Sequence, residues 1–159
     1  MYRYRYLLLL SLFVFCGCSD ASRPGDLPQL FPCVVSVTQG GKPLEEALVE
    51  FHAESEQKYR PSAFAGAEGD AVMRTYGFPG VPAGKYKITI SKTIEDDFVY
   101  RTGDADEQII VSSKTYKTVE DLYSNVETTP HAIEITPTSK RTLITLDVGE
   151  AVKIQIKKY

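Results

Sequence analysis

Polar and apolar side chains alternate along several short segments of this chain, and one segment is clearer than the others. Over residues 84–91, Tyr86, Ile88 and Ile90 share one parity, while two lysines and a threonine occupy the other. A period of two places successive side chains on opposite faces of an extended strand. Residues 77–84, just before it, contain two prolines and three glycines, which favour turns. The pattern therefore predicts a turn followed by a half-buried antiparallel strand.

The same alternation recurs elsewhere in the chain. Residues 33–38 and 47–53 each place apolar side chains on one parity, and between them Gly40 and Gly41 suit a tight turn with positive φ angles. Further strands are predicted at residues 59–64, 71–75, 109–111, 131–136, 141–148 and 151–157. Short strands separated by turn signals, without a long amphipathic helix, are typical of an all-β fold. We therefore predict an antiparallel sandwich of seven to eight strands.

Residues 94–130 give a much weaker pattern. Two acidic clusters, at 95–97 and 104–107, flank the apolar residues 98–100. Residues 118–123 favour one turn of helix. A loop of this length in a compact domain is either functional or poorly ordered. We therefore predict no definite structure for most of this region.

The first residues are of a different kind. Arg3 and Arg5 precede an apolar run at residues 7–15, which is too short to cross a hydrocarbon core about 30 Å thick and is typical of a signal peptide. The next residues resemble the lipobox of bacterial lipoproteins, with cleavage after residue 17 and a lipid on Cys18. An ordinary secretory signal cleaved slightly later is the alternative. Residues 1–17 are therefore predicted to be a lipoprotein signal peptide.

A lipid on Cys18 affects the expected organisation of the mature protein. Diacylation or triacylation supplies more than one acyl chain, which is sufficient for stable membrane anchoring. Residues 18–32 contain several prolines and are predicted to be the lipidated cysteine and a flexible tether, followed by the folded domain at 33–159. We expect an exported protein, lipid-anchored to the bacterial cell envelope on the periplasmic or outer-membrane side.

Charge and cysteine content narrow the range of partners. Removing residues 1–17 takes away two of the 18 basic residues and none of the 21 acidic ones, which leaves a net charge near −5. A surface of this sign is not drawn to nucleic acid.

With Cys18 lipidated, Cys33 has no intrachain partner for a disulfide. It is expected to be a small buried hydrophobic residue, the alternative being a reactive thiol.

Parts of the chain resemble a known family. Residues 41–51, Gly69 and residues 80–90 are similar to the carboxypeptidase regulatory-like, transthyretin-like β-sandwich domains, especially those of short exported lipoproteins from planctomycetes. The resemblance covers residues 33–159, and it implies a structural or interaction role because such a domain is an accessory in carboxypeptidases. Where the family has an Asp-x-x-Gly turn, this chain has Gly66 three residues before Gly69, so we expect a looser corner there.

Residue types suited to catalysis are sparse. His52, Glu54 and Glu56 on one strand edge are better explained as a solvated polar face than as metal ligands. The acidic residues within 104–107 offer oxygen ligands for calcium but lack the EF-hand spacing. The hydroxyisourate hydrolases of the transthyretin-like family end in a Tyr-Arg-Gly-Ser motif that this chain lacks, and Cys33 has no evident base. We therefore predict no catalytic residue, no metal, no cofactor and no enzyme activity.

Tyrosines are the remaining candidates for a site. Tyr100, Tyr116 and Tyr123 lie in the weakly patterned region, and an aromatic face with a polar tip suits sugars or peptides. The alternative is that such rings cap the open ends of the sandwich. The predicted function is a non-catalytic, membrane-anchored lipoprotein whose β-sandwich is a structural or protein-interaction module. A carbohydrate- or peptide-binding domain using residues 94–130 and its tyrosines is the alternative. Expected partners are the membrane, through the lipid on Cys18, and envelope proteins or glycans.

Overall fold

The computed structural model describes residues 23–55, 58–102, 108–138 and 140–156. The predicted signal peptide and Cys18 lie outside these residues. The described chain is built of strands, with one short helix, α1, at Asp121–Ser124. The strands are β1 Leu30–Phe31, β2 Cys33–Gln39, β3 Lys42–Pro43, β4 Leu48–Ala53, β5 Pro61–Phe64, β6 Asp70–Val72, β7 Arg74–Thr75, β8 Phe78–Pro79, β9 Val81–Pro82, β10 Gly84–Ser91, β11 Thr93–Thr102, β12 Gln108–Lys117, β13 Ala132–Ile135, β14 Thr142–Asp147 and β15 Ile154–Gln155.

The strands form four sheets. The largest has six strands in the order β13-β10-β4-β5-β7-β8, and a second has the order β14-β2-β3, with β6 also paired to β2. Strands β11, β12 and β15 form a third sheet, while β1 and β9 form a short ribbon. Every pair is antiparallel except β2 with β14, which is parallel. The all-β prediction is confirmed, and the parallel pair departs from the expectation of a purely antiparallel fold.

One hydrophobic cluster joins the two larger sheets. From β2 it takes Cys33, Val35 and Val37, and from β4 and β10 it takes the predicted inward residues, which are Val49, Phe51, Tyr86, Ile88 and Ile90. Each of these side chains is at most 2% exposed. Burial of this kind contributes about 1.5–3 kcal/mol per large apolar side chain. Because residues of both sheets meet in a single cluster, the arrangement is β-sandwich-like.

The weakly patterned region is mostly ordered strand. Instead of a long loop, β11 and β12 form a hairpin of ten-residue strands, and α1 supplies the single helical turn that was expected near this position. By contrast, the strand predicted at 151–157 is reduced to Ile154–Gln155, and Ile154 is exposed. Within the described residues 151–156, alternation therefore predicted more strand than the structure contains.

The segment predicted as a tether is partly attached to the domain. Leu27 and Phe31 are buried, and β1 pairs with β9. Arg23 donates from Nη2 to the carbonyl oxygen of Pro28 at 2.7 Å. Within the described chain, buried side chains therefore begin at Leu27, before Cys33.

The corner at Gly69, which was expected to be loose, is tightly packed. Gly69 accepts a hydrogen bond from Val37 N at 2.8 Å and donates to Gly66 O at 2.8 Å. Its φ is +79°, and an added Cβ would lie 2.5 Å from the carbonyl oxygen of Val37. Glycine is therefore required here both for the left-handed backbone and for the close approach.

A matched pair of glycine substitutions tests this corner. Gly41 has a similar φ of +74° but no atom within 4 Å of an added Cβ. We expect Gly41→Ala to lower the free energy of unfolding by about 1 kcal/mol, because alanine is strained in left-handed backbone. We expect Gly69→Ala to lower it by about 3 kcal/mol or more, because Val37 must also move. Urea unfolding measures both, and equal losses would contradict the steric argument.

Candidate functional site

The β11–β12 hairpin exposes six large apolar side chains. Between 38% and 54% of the surface of each side chain is exposed. We call this set the apolar hairpin surface, and it consists of Phe98, Val99, Tyr100, Ile109, Ile110 and Val111. Single exposed apolar side chains are ordinary, but a concentration of six on one hairpin is unusual and marks a candidate interaction surface. The apolar hairpin surface is the candidate functional site.

Strand pairing places apolar side chains on both faces of the hairpin. Tyr100 pairs with Ile110 across the two strands, and its ring centroid is 6.4 Å from that of Phe98. Arg101 pairs with Ile109, which belongs to the opposite face because consecutive pairs alternate. Neither face of this half of the hairpin therefore packs on the hydrophobic cluster of the domain.

Polar contacts hold the other half of the hairpin, near its base. Asp97 accepts a hydrogen bond from the hydroxyl of Tyr116 and forms an ion pair with Lys114 at 3.1 Å. Asp96 forms an ion pair with Lys153 at 2.7 Å, and the Lys153 ammonium lies 4.5 Å from the centroid of the Tyr116 ring. These contacts tie β11 to β12 and to the chain next to β15, so the base has a defined geometry.

The contacts at the base of the hairpin favour the charged forms of its two carboxylates. Hydrogen bonds from Tyr116 and Lys114 lower the pKa of Asp97 below its usual 3.8, and the Lys153 ammonium lowers the pKa of Asp96. The same bond to Asp97 raises the pKa of Tyr116. A carboxylate with a lowered pKa keeps its charge until the pH falls through that lower value. The two carboxylates therefore stay charged at neutral pH, and these contacts weaken as the pH falls through their lowered pKa values.

The three tyrosines predicted as ligand-binding residues do not share one surface. Tyr100 is exposed on the hairpin, but Tyr116 is buried at its base. Tyr116 pairs with Ile94, six residues before Tyr100, so the two rings are roughly 20 Å apart along the strand. Tyr123 stacks on His131 with ring centroids 5.4 Å apart and packs against the core. Of the three, Tyr100 alone belongs to the candidate site.

His52, one of the other predicted polar residues, lies outside that site. His52 shares a hydrogen bond with Thr89 Oγ1 at 2.8 Å, and burial lowers the pKa of its imidazole. The acidic residues within 104–107 and Glu56 lie outside the described chain. Within the ranges that the structure describes, no three His, Cys, Asp or Glu side chains converge as a metal site would require.

Sequence patterning did not identify the apolar hairpin surface. Its residues come in consecutive triplets, 98–100 and 109–111, so they show neither a period of two nor a period of 3.6. The pair of triplets was the available signal, because a hairpin with one solvent-facing side must expose at least one of three consecutive apolar residues. The acidic cluster at 95–97 turns out to belong to the base of the same hairpin.

Comparison of the chain with protein-family models, with curated proteins and with solved structures finds no match. Among the residues described, no helix has the length and apolar character needed to span a bilayer.

The reactivity of the Cys33 thiol tests whether this side chain is buried in the core. Its side chain is 2% exposed, and burial raises the pKa of the thiol to about 11. In a chain carrying Cys16→Ser and Cys18→Ser, we expect Cys33 to react with a disulfide reagent at pH 8 at least about 100-fold more slowly in the native state than in urea, because the thiolate is the reactive form. A Leu143→Cys variant of the Cys33→Ala chain is the control, since Leu143 is 72% exposed. Equal native rates at the two positions would contradict the buried assignment.

Proposed function

We propose that this protein is a non-catalytic, lipid-anchored interaction module of the cell envelope, and that it binds an envelope protein through the apolar hairpin surface. The observation that carries this proposal is the exposure of six large apolar side chains on one hairpin. Such a surface is unfavourable in water because apolar area costs about 25 cal/mol per Å² when it is exposed. A partner that covers it recovers this free energy.

The unpaired edges of the hairpin support a protein as the partner. In the described chain β11 pairs only with β12, and β12 meets β15 only at Tyr116 and Lys117. The remaining backbone of both strands offers hydrogen-bond donors and acceptors next to the apolar side chains. An added strand from a partner would use both, as in recognition by β-augmentation.

We further propose that residues 33–159 belong to the carboxypeptidase regulatory-like, transthyretin-like sandwiches. The support is the residue resemblance, together with the positions of the resembling segments in the fold. Residues 41–51 run from the glycine turn after β2 into β4, and residues 80–90 run from β9 into β10. Both segments supply inward residues to the shared hydrophobic cluster. A domain of this kind presents binding surfaces on a stable scaffold.

We propose no catalytic role for the reactive side chains, because each of them has a structural role. Cys33 is part of the core, and His52 is bonded to Thr89. His131 stacks on Tyr123, and burial lowers the pKa of its imidazole. Each group contributes to packing or to local hydrogen bonding, so the proposal assigns chemistry to none of them.

Anchoring would hold the domain close to the membrane surface. In the part of the chain that the structure describes, the first buried side chain is that of Leu27, nine residues after the proposed lipid at Cys18. Fully extended, nine residues span at most about 32 Å. The proposed partner is therefore a protein at or near the same membrane.

The anchor is tested by metabolic labelling with palmitate. We expect the expressed protein to carry label, Cys18→Ala to abolish it, and the matched Cys16→Ala and Cys33→Ala variants to retain it, because acylation is expected at the residue after the cleavage site. Label that persists in Cys18→Ala would show that this cysteine is not the attachment point.

Site-specific photocrosslinking tests the interaction surface. A photoreactive phenylalanine analogue at Ile110 is expected to give one discrete adduct with an envelope protein in cells, whereas the same analogue at the exposed Glu134 on β13 is expected to give none. Phe98→Ser should weaken the Ile110 adduct while changing the unfolding midpoint by no more than about 2 °C, because Phe98 is not in the core.

Two results would contradict the proposed partner. Equal adducts from both positions would show that contact is not specific to the hairpin. An adduct of twice the mass of the chain would show that the hairpin binds a second copy of this protein instead of an envelope protein.

A further inference from the structure

A cleft of about 920 Å³ lies on β5, β6 and β7, and none of the hairpin residues lines it. Its aromatic walls are Tyr59, Phe64 and Tyr76, and its cations are Lys58, Arg60 and Arg74. The volume is within the range of about 300–1,000 Å³ typical of ligand sites. We propose that this cleft binds a carboxylated polysaccharide, with the tyrosine rings stacking on sugar faces and the cations pairing with uronate carboxylates.

Strand register explains why these side chains share one surface. Leu48 pairs with Phe64, and Ser62 pairs with Arg74, so side chains of β4, β5 and β7 lie on one face of the six-stranded sheet. Their neighbours in β4 and β5, Val49 and Ala63, point toward the core. The same alternation that builds the core therefore builds this outer surface.

Tyr76 is in a backbone conformation that tyrosine rarely adopts. It forms a two-residue turn with Gly77 between β7 and β8, with φ angles of 51° and 83°. Turns of this type favour asparagine, aspartate or glycine, because a Cβ is strained in left-handed backbone. The side chain is 67% exposed, so burial does not compensate for the strain. Strained residues of this kind occur at functional sites, where the side chain itself is needed.

The Tyr76 ring is paired with a second aromatic ring. The centroids of Tyr59 and Tyr76 are 5.4 Å apart, with an interplanar angle of 57°. Tyr59 is itself fixed, because its hydroxyl donates to Asp26 Oδ1 at 2.6 Å and Asp26 also pairs with Lys58 at 2.6 Å. Two rings held at an angle offer stacking faces for successive units of a chain-like ligand.

Cations outnumber acids along the lining of the cleft, although Lys58 is paired with Asp26 just outside it. Its lining has three cations and one acid, Asp70, whereas the whole chain has a net charge of −3. Arg60 lies 3.8 Å from Glu50, and Arg74 Nη1 donates to Gly77 O at 2.9 Å. A guanidinium has five donors, so each of these contacts leaves donors for a carboxylate. The cleft is therefore complementary to an anionic ligand.

The backbone around the cleft favours a polysaccharide over an acidic peptide. Peptides bind strand edges through main-chain hydrogen bonds. Strands β5 and β7 are paired on both sides, and β6 is three residues long with Asp70 O already bonded to Gly66 N. A second cleft of about 630 Å³ shares Lys58 and Tyr59 with the first. The combined length suits several sugar units.

The test uses the full-length protein and hexagalacturonate, a carboxylated hexasaccharide, in calorimetric titration. Uncharged maltohexaose is the ligand control. Tyr76→Asn removes the ring and relieves the backbone strain, so it is expected to keep or raise the unfolding midpoint while weakening binding by about tenfold. Arg60→Gln with Arg74→Gln should weaken binding at least as much. Lys140→Gln removes one exposed charge outside the cleft and should leave binding unchanged.

The outcomes separate the proposal from its alternatives. Binding of hexagalacturonate, with losses confined to the cleft variants and no binding of maltohexaose, would support it. Failure of the wild-type protein to bind, or full binding by the folded Tyr76→Asn variant, would overturn it. Equal or tighter binding of a hexaglutamate peptide would also overturn it, because the cleft would then be a peptide site.

Discussion

The fold depends on the burial of alternating side chains between the two larger sheets. Val35 of β2, Phe51 of β4 and Ile88 of β10 meet in one cluster, and none of them is more than 1% exposed. Because the side-chain period of a strand is two, a slip of one residue in any of these strands would turn its apolar set outward. The core therefore fixes the register of the sheets. Turns such as the Gly69 corner then connect strands whose positions are already determined by packing.

A fixed register also determines what the outer surface displays. Each inward residue of β4 and β5 places its neighbours outward, so Leu48, Ser62 and Phe64 come to one face together with Arg74 of β7. The surface is thus a geometric consequence of the core. Two further features complete the cleft, namely the strained turn that positions Tyr76 and the contacts of Asp26 that hold Lys58 and Tyr59.

The sequence predicted those parts of the fold in which alternation and turn residues agree. The inward set of β10 and the positive φ angles at Gly40 and Gly41 were both predicted correctly. Alternation, however, records only which side chains face inward. It carries no information on the direction of a neighbouring strand, so the parallel pairing of β14 with β2 was missed. The tyrosine pairings were missed for a similar reason. Tyr59 meets Tyr76, and Tyr116 meets Asp97, only after distant segments have paired.

The hairpin was missed because it breaks the rule that predicted the other strands. Its apolar residues are consecutive, and a hairpin with solvent on both faces cannot bury them within its own chain. The hairpin is nevertheless attached to the domain by charged residues at its base, which are Asp96, Asp97, Lys114 and Lys153. An exposed apolar strand with unpaired edges is an aggregation hazard, which natural proteins usually avoid. Within the described chain, local rules are broken at the apolar half of the hairpin and at three non-glycine residues with positive φ angles, which are Glu46, Tyr76 and Asp97. These departures do not stabilise the fold. In a sequence that otherwise agrees with its fold, such departures are expected at functional positions.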